Sequence, residues 1–482
     1  MGVYNHPDAA KICYLALYAM QHRGQESAGI ASFDGKLHLH KGQGLVSDVF
    51  SPADLETLPG SCAIGHVRYS TTGSNTAHNA QPLRANYRGG HIAVAHNGNL
   101  TNADELAKRL EASGAIFQST TDSELLIHLL AQNRSQDFAE ALTASLKQVR
   151  GAYSITMLRD GELYAFKDPL GFRPLCMGTL PNGGFIVASE SCALDIVGAQ
   201  FLREIKPGEV VRFRGGEVEK FQLLPAQEQH FCVFELIYYS RPDSIVAGGN
   251  AIYKFRKRLG EELAREHPAA ADVVIAVPDS SNPAAAGYAA ASGIPLEIGL
   301  IRSHYVGRTF IQPTQDLRDF GAKMKYNPVR EVLKDRRVVV VDDSIVRGTT
   351  SREIVQMARE SGANRVYFAS ASPPVRFPNV YGIDMPSAKE LIASGRNDDE
   401  IAREIGADRL VYQDLDALVD AVRSVNPSIE NFETSCFNGV YVTGDVTAEY
   451  LAGIEAQRND DSLARRGSVA NTQLDLNLVE AG

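Results

Sequence analysis

The sequence predicts an α+β half of antiparallel sheets covered by helices, followed by an α/β half built on a parallel sheet. Three observations predict it. From Ser61 to about Val211, short β-rich segments recur between Gly and Pro turns, among them "CAIGHVRYS", "GGHIAVAHNG", "GAYSITMLRDGELYAFKD" and "GEVVRFRGGEVEKF". After about Gln229 the rhythm changes to strand, turn and helix, with apolar runs such as 338–341 that suit strands buried on both faces. Between the two patterns lies the polar stretch "LLPAQEQH", which sets a boundary near 225–232 and divides the chain into 1–228, 229–457 and an aperiodic polar tail, 458–482.

Taken in order, the first apolar run is "KICYLALYAM". It follows Pro7 and Asp8 and runs into polar "QHRGQES" with no small-residue cleavage pattern, so it reads as a buried helix and not as a secretory core. Within the β-rich half, "TNADELAKRLEASG" and "TDSELLIHLLAQN" predict helices that open on a Thr or Asn cap. The second half reads as "DVVIAVPDS", a Pro-led helix "NPAAAGYAAASG", then "IPLEIGLI", "RRVVVVDDS" and "SREIVQMARESGANRVYFASAS". No apolar stretch approaches the roughly 20 residues of a membrane span. Forty-eight Lys and Arg against 58 Asp and Glu leave a net charge of -10, which excludes a chain-wide attraction for nucleic acid. Six scattered cysteines, none at metal-knuckle spacing, point to a reduced, cytoplasmic protein.

The stretch richest in chemistry is "VVVVDDSIVRGTTS", 338–351. A buried strand ends at Asp342 and Asp343, and a loop carrying Ser344, Arg347, Gly348, Thr349 and Thr350 leads into a helix. Ligands of open α/β sheets collect at strand carboxyl ends, and a helix N-terminus offers free N–H groups to a phosphate. The carboxylates suit ribose hydroxyls or a hard divalent cation. No GxxxxGK[ST] pattern occurs, so an ATP loop of that type is not expected. Upstream, "VIAVPDSSNP" ends a second strand in Asp279, Ser280 and Ser281, and 303–330 is a long basic segment containing Arg308, Lys323, Lys325 and Arg330.

In the first half, "QHRGQESAGIAS", "GHVRYSTTG", "HNGNLTN" and "STTDSELL" are polar patches beside β-rich segments. In this order they resemble the glutamine amidotransferases of the N-terminal nucleophile class, and "VDDSIVRGTTS" resembles the phosphoribosyltransferase signature. Together with "FELIYYSRPDS", "YVGRTFI", "NVYGIDMPSAKELIA" and "FNGVYVTGD", the chain is similar to the amidophosphoribosyltransferase family from Gly2 to about residue 450. The resemblance implies an αββα sandwich followed by a type I phosphoribosyltransferase domain. It also implies the opening step of purine synthesis: phosphoribosyl pyrophosphate (PRPP), glutamine and water give phosphoribosylamine, pyrophosphate and glutamate, with ammonia able to take the place of glutamine as nitrogen donor. Arg68 would hold the α-carboxylate of glutamine and Asp122 its ammonium, while the Asn97 side chain and Gly98 N–H would receive the oxyanion. Asp342, Asp343, Ser344, Arg347, Gly348, Thr349, Thr350 and Arg308 would bind PRPP, with Ser280, Asp342 and Asp343 around Mg2+. Homo-oligomers (dimers or tetramers) and feedback by purine nucleotides are implied too.

Two departures from the family stand out. Where some members ligate an iron–sulfur cluster, this chain keeps Cys232 but has Asn379, with Glu430 and Glu433 near the last positions, so no cluster is expected. The family's terminal "CGVFG" cysteine, both nucleophile and base, has no counterpart before "GVYNHP". A chain starting at Met1 is therefore expected to use ammonia alone. Cys13, inside the apolar helix, reads as core. A non-catalytic PRPP-sensing regulator is the alternative reading, and the basic segment with both strand-end motifs favours the enzyme.

Overall fold

A computed structural model of the chain describes all residues except 70–75, 89, 247–248, 304–324, 386 and 457–482. In the first half two antiparallel sheets lie face to face. One has seven strands, with Gly2–Tyr4 paired between Phe185–Ala188 and Cys62–Arg68, and Ser27–Phe33 beyond the latter. The other has six strands around the antiparallel pair Gly90–Leu100 and Gly151–Arg159. Ala31, Ile64 and Val187 of one sheet share a buried cluster with Ala93, Leu158 and Val211 of the other, as the two-residue period of strands requires.

Helices close both outer faces. Ala9–Ala19 buries Cys13, Ala16 and Leu17 against the first sheet and leaves Leu15 and Tyr18 exposed, so the predicted helix is one-sided. Ala103–Ala112, Ser123–Gln132 and Phe138–Leu146 cover the second sheet. The layers are therefore helix, sheet, sheet, helix, the expected αββα order. Asn102 takes the N-cap position of Ala103–Ala112 as predicted, without a side-chain capping bond, whereas the second cap differs. Asp122, not Thr121, occupies the N-cap of Ser123–Gln132, and its carboxylate makes no capping bond. It turns instead to the strand Gly90–Leu100, where Oδ2 accepts from the Leu100 N–H at 2.8 Å.

The second half carries a parallel four-stranded sheet in the order Val273–Ala276, Arg337–Asp342, Arg365–Ser370, Arg409–Tyr412. Val339 and Val341 face a cluster with Phe255, Leu259 and Leu418, and Val338 and Val340 one with Ile354 and Ile401. Both faces of that strand are covered, and each buried valine is worth about 1.5–3 kcal/mol. The halves interlock. Phe172 stacks on Tyr381 with ring centroids 4.5 Å apart, and Asn99 Nδ2 donates to the Val380 carbonyl at 2.9 Å.

Candidate active site

The cavity of the first half lies where the strands Cys62–Arg68 and Gly90–Leu100 meet the start of Ser123–Gln132, and Arg68, Asn97, Gly98 and Asp122 all line it. Gly98 has φ +150°, and a Cβ there would stand 2.0 Å from the Ala152 carbonyl oxygen, so this point of the strand admits only glycine. Asn97 Nδ2 is buried with no hydrogen-bond partner among the described residues. Such a donor costs about 1–3 kcal/mol to leave unmet, and it is the group an oxyanion would satisfy.

Sequence reasoning missed the residues that hold this set in place. His96 Nδ1 stands 3.6 Å from Asp122 Oδ1 and 3.1 Å from Ser123 Oγ, and its Nε2 donates to the Ala152 carbonyl at 3.3 Å. Burial pulls His96 down, but Asp122 beside it outweighs this and raises it above the ordinary histidine value. Burial would raise Asp122, yet His96 and the Leu100 N–H hold it below the usual carboxylate range, charged and fixed. Gln81 joins the network, accepting from the His96 N–H at 2.7 Å and donating to Ser123 Oγ at 3.1 Å. Burial drives His66 well below the normal range, with Arg68 and His96 adding to the effect, so a neutral imidazole faces the cavity.

Residues of the second half complete the wall. A Cβ on Gly382 would lie 2.7 Å from the backbone of Gly98, so this glycine permits the close approach. Tyr239 donates its hydroxyl to the Arg23 carbonyl at 2.9 Å, and the Arg23 guanidinium lies over its ring, 4.6 Å from the centroid. Arg23 also pairs with Glu235 at 2.7 Å and Glu190 at 2.5 Å, and Arg173 approaches Glu235 at 3.3 Å. No local pattern announces these partners: Arg23 and Glu235 are 212 residues apart.

In the second half the strand Arg337–Asp342 delivers both aspartates to its carboxyl end, and Gly348, at φ +76°, turns the chain into Thr349–Glu360. Ser280 Oγ donates to Asp343 Oδ2 at 2.5 Å, Ser281 Oγ to Asp342 Oδ1 at 3.1 Å and Ser344 Oγ to Asp343 Oδ1 at 2.7 Å. Burial, then the neighbouring charge of Asp343, raises Asp342 well above the carboxylate range, and burial raises Asp343. Two buried carboxylates and a serine offer oxygen donors only, which fits a hard dication that would offset their repulsion. Thr349 and Thr350 lie exposed at the helix start, whereas Arg347 reaches across to Glu390 Oε2 at 3.0 Å. Arg302 Nη1 donates to Asp279 Oδ2 at 2.7 Å. Arg308, Lys323 and the tail 458–482 lie outside the described residues.

Cys232 is fully buried, its thiol pushed up to about 12 by burial, with Arg173 Nη1 3.6 Å from its sulfur. Asn379 Nδ2 donates to Glu433 Oε2 at 3.1 Å. Cys436, also buried, lies close enough to Glu433 and Cys232 for their charges to add to the effect of burial in raising its thiol. Two thiols, an amide and a carboxylate, the last two bonded to each other, are not the four thiolates an iron–sulfur cluster takes.

Comparison with known proteins shows the family. A glutamine amidotransferase domain family matches residues 66–195. An amidophosphoribosyltransferase of Vigna aconitifolia is 49% identical over 92% of this chain and 90% of its own length. The chain belongs to the amidophosphoribosyltransferase family. Its Archaeoglobus fulgidus relative is 47% identical across 88% of this chain and 93% of its own. The solved glutamine PRPP amidotransferase of B. subtilis, complexed with ADP and GMP, superposes with a TM-score of 0.87 at 45% identity, covering 93% of this chain and 98% of that one. Members of the amidophosphoribosyltransferase family are glycosyltransferase-type enzymes, and these matches lend no support to a non-catalytic regulator or to a restriction to ammonia. Among the described residues, no helix is long and apolar enough to cross a membrane.

Proposed function

We propose that the chain transfers the amide nitrogen of glutamine to the ribose carbon of PRPP, with water supplying the oxygen of the new carboxylate, and yields 5-phosphoribosylamine, pyrophosphate and glutamate. In this reading 1–228 is the glutaminase half and 229–457 the phosphoribosyltransferase half. Arg68 holds the α-carboxylate of glutamine, Asp122 holds the ammonium, and His96 keeps Asp122 ionised and oriented. Asn97 Nδ2 and the Gly98 N–H receive the oxyanion formed as the amide is cleaved. Ser280, Asp342 and Asp343 would hold Mg2+, which would supply positive charge to offset that of a pyrophosphate leaving group. The N–H groups at the start of Thr349–Glu360, with Ser344, Gly348, Thr349 and Thr350, cradle the 5′-phosphate. Arg347 is assigned to the same site by its place in the loop, and Arg308 to the closing segment.

The observation that carries the reading is the turn Glu235–Tyr239. Tyr239 lines the glutamine cavity, while the next residue back, Tyr238, lies close enough to Asp343 that burial and that charge raise its phenol. A single turn thus separates the site that releases ammonia from the one that consumes it, and shielding between them keeps water from the ribose cation. Purine nucleotide feedback, in keeping with the ADP and GMP of the B. subtilis structure, is proposed for this chain as well. The test supplies purified protein with PRPP, Mg2+ and glutamine and measures pyrophosphate and glutamate. Equal release of both is expected; no pyrophosphate with either glutamine or ammonium would overturn the proposal.

A further inference from the structure

Away from both half-sites, the end of helix Ile252–Glu266 meets the residues that follow the strand Arg409–Tyr412. There Glu266, His267 and Asp414 each bring one ligand atom to within 4.8 Å of the others. The neighbouring guanidiniums do not neutralise them. Arg376 donates to the carbonyls of Ala393 and Arg396, and Arg409 to that of Pro268.

Further observations point to a ligand. Gln413 is 1% exposed; its Nε2 donates to Glu266 Oε2 at 2.7 Å, and its Oε1 is buried with no partner among the described residues. His267 Nε2 is likewise buried without a partner there. Asp414 holds the N-cap position of Leu415–Val425, yet its side chain makes no capping bond, so its exposed carboxylate is uncommitted. His267, Gln413 and Asp414 share the wall of a cavity of about 260 Å³.

We propose that Glu266, His267 and Asp414 form a binding site for a divalent first-row transition cation, with Gln413 holding Glu266 in position. An imidazole beside two carboxylates departs from the all-oxygen sets of Mg2+ and Ca2+ and suits Zn2+, Mn2+ or Fe2+. Bonds of about 2.0–2.2 Å would draw the three ligand atoms closer than they now stand, which rotation of the exposed Asp414 allows. The ion would tie the end of one helix to the start of another, Leu415–Val425, and so add to stability.

The test titrates chelator-stripped full-length protein with Zn2+ by calorimetry and follows thermal unfolding, in a D342N/D343N background so that the strand-end acidic pair cannot compete. All six cysteines are buried, which removes the usual thiol competitors. One equivalent that raises Tm is expected, and Asp414→Asn and His267→Gln should each weaken that binding at least tenfold. Asp414→Asn changes an exposed side chain, so the folded variant decides alone if His267→Gln does not fold. Absence of zinc binding, or binding undiminished by Asp414→Asn, would overturn the proposal.

Discussion

Asn97 and Asp122 carry the sharpest predictions because each is a buried polar group whose environment defines its state. Asn97→Ala removes one oxyanion donor and should lower glutamine-dependent turnover by about 10²–10³ while leaving ammonia-dependent pyrophosphate release unchanged. An equal loss with both donors would take Asn97 out of the glutamine site. Asp122 and His96 respond to pH in opposite senses. Asp122, held below its unfolded value, contributes stability above the unfolded carboxylate pKa that is lost as pH falls through the folded one. His96, raised above its unfolded value, contributes stability at low pH that is lost as pH rises through its folded pKa. His96→Gln should therefore flatten the alkaline limb of a Tm-against-pH curve, and an unaltered limb would contradict the pairing. Asp343 behaves differently. Its folded value is raised, so the ionised form costs stability. Asp343→Asn should abolish turnover with ammonia yet unfold no earlier than wild type in Mg2+-free buffer; a lower Tm would contradict this.

The strand, loop and helix around Asp342 were legible because their signals are local: apolar residues on both faces, a paired carboxylate, then glycine at φ +76° opening a helix. The role of Gly98 was legible only through its motif, for it lies inside the strand Gly90–Leu100 and not at a turn. The seam between the halves was not legible. Arg23, Glu190, Glu235 and Arg173 meet across up to 212 residues, and no periodicity marks a charge destined for burial. Nor was His96, a lone histidine inside a strand, distinguishable by sequence from a core residue. Burial would raise Glu190 and Glu235, but Arg23 holds both below the ordinary range. Arg23→Met removes the guanidinium that Glu190 and Glu235 share, leaving His22 beside the first and Arg173 beside the second, and should cost about 3–5 kcal/mol in urea unfolding. A cost under about 1 kcal/mol, the value of a surface pair, would show that the seam does not hold the halves together. The stability of this seam should fade on acidification below the unfolded glutamate pKa, as each carboxylate protonates.

Across the whole molecule, the αββα half and the parallel-sheet half make one enzyme only if nitrogen released in one is used in the other. Gly382 against Gly98, Asn99 bonded to Val380, and Tyr239 in the wall of the first-half cavity beside Tyr238, which feels the charge of Asp343, put the contact between halves next to both proposed sites. The fold class of each half was readable from its period and its turns, but their mutual placement depends on contacts that only the folded chain brings together. The most direct measurement supplies glutamine labelled with ¹⁵N at its amide, together with PRPP, Mg2+ and excess unlabelled ammonium below the level that supports turnover by itself. Phosphoribosylamine carrying ¹⁵N undiluted by the bulk pool is the predicted result. Product whose label matches the bulk ammonium would contradict transfer between the two sites.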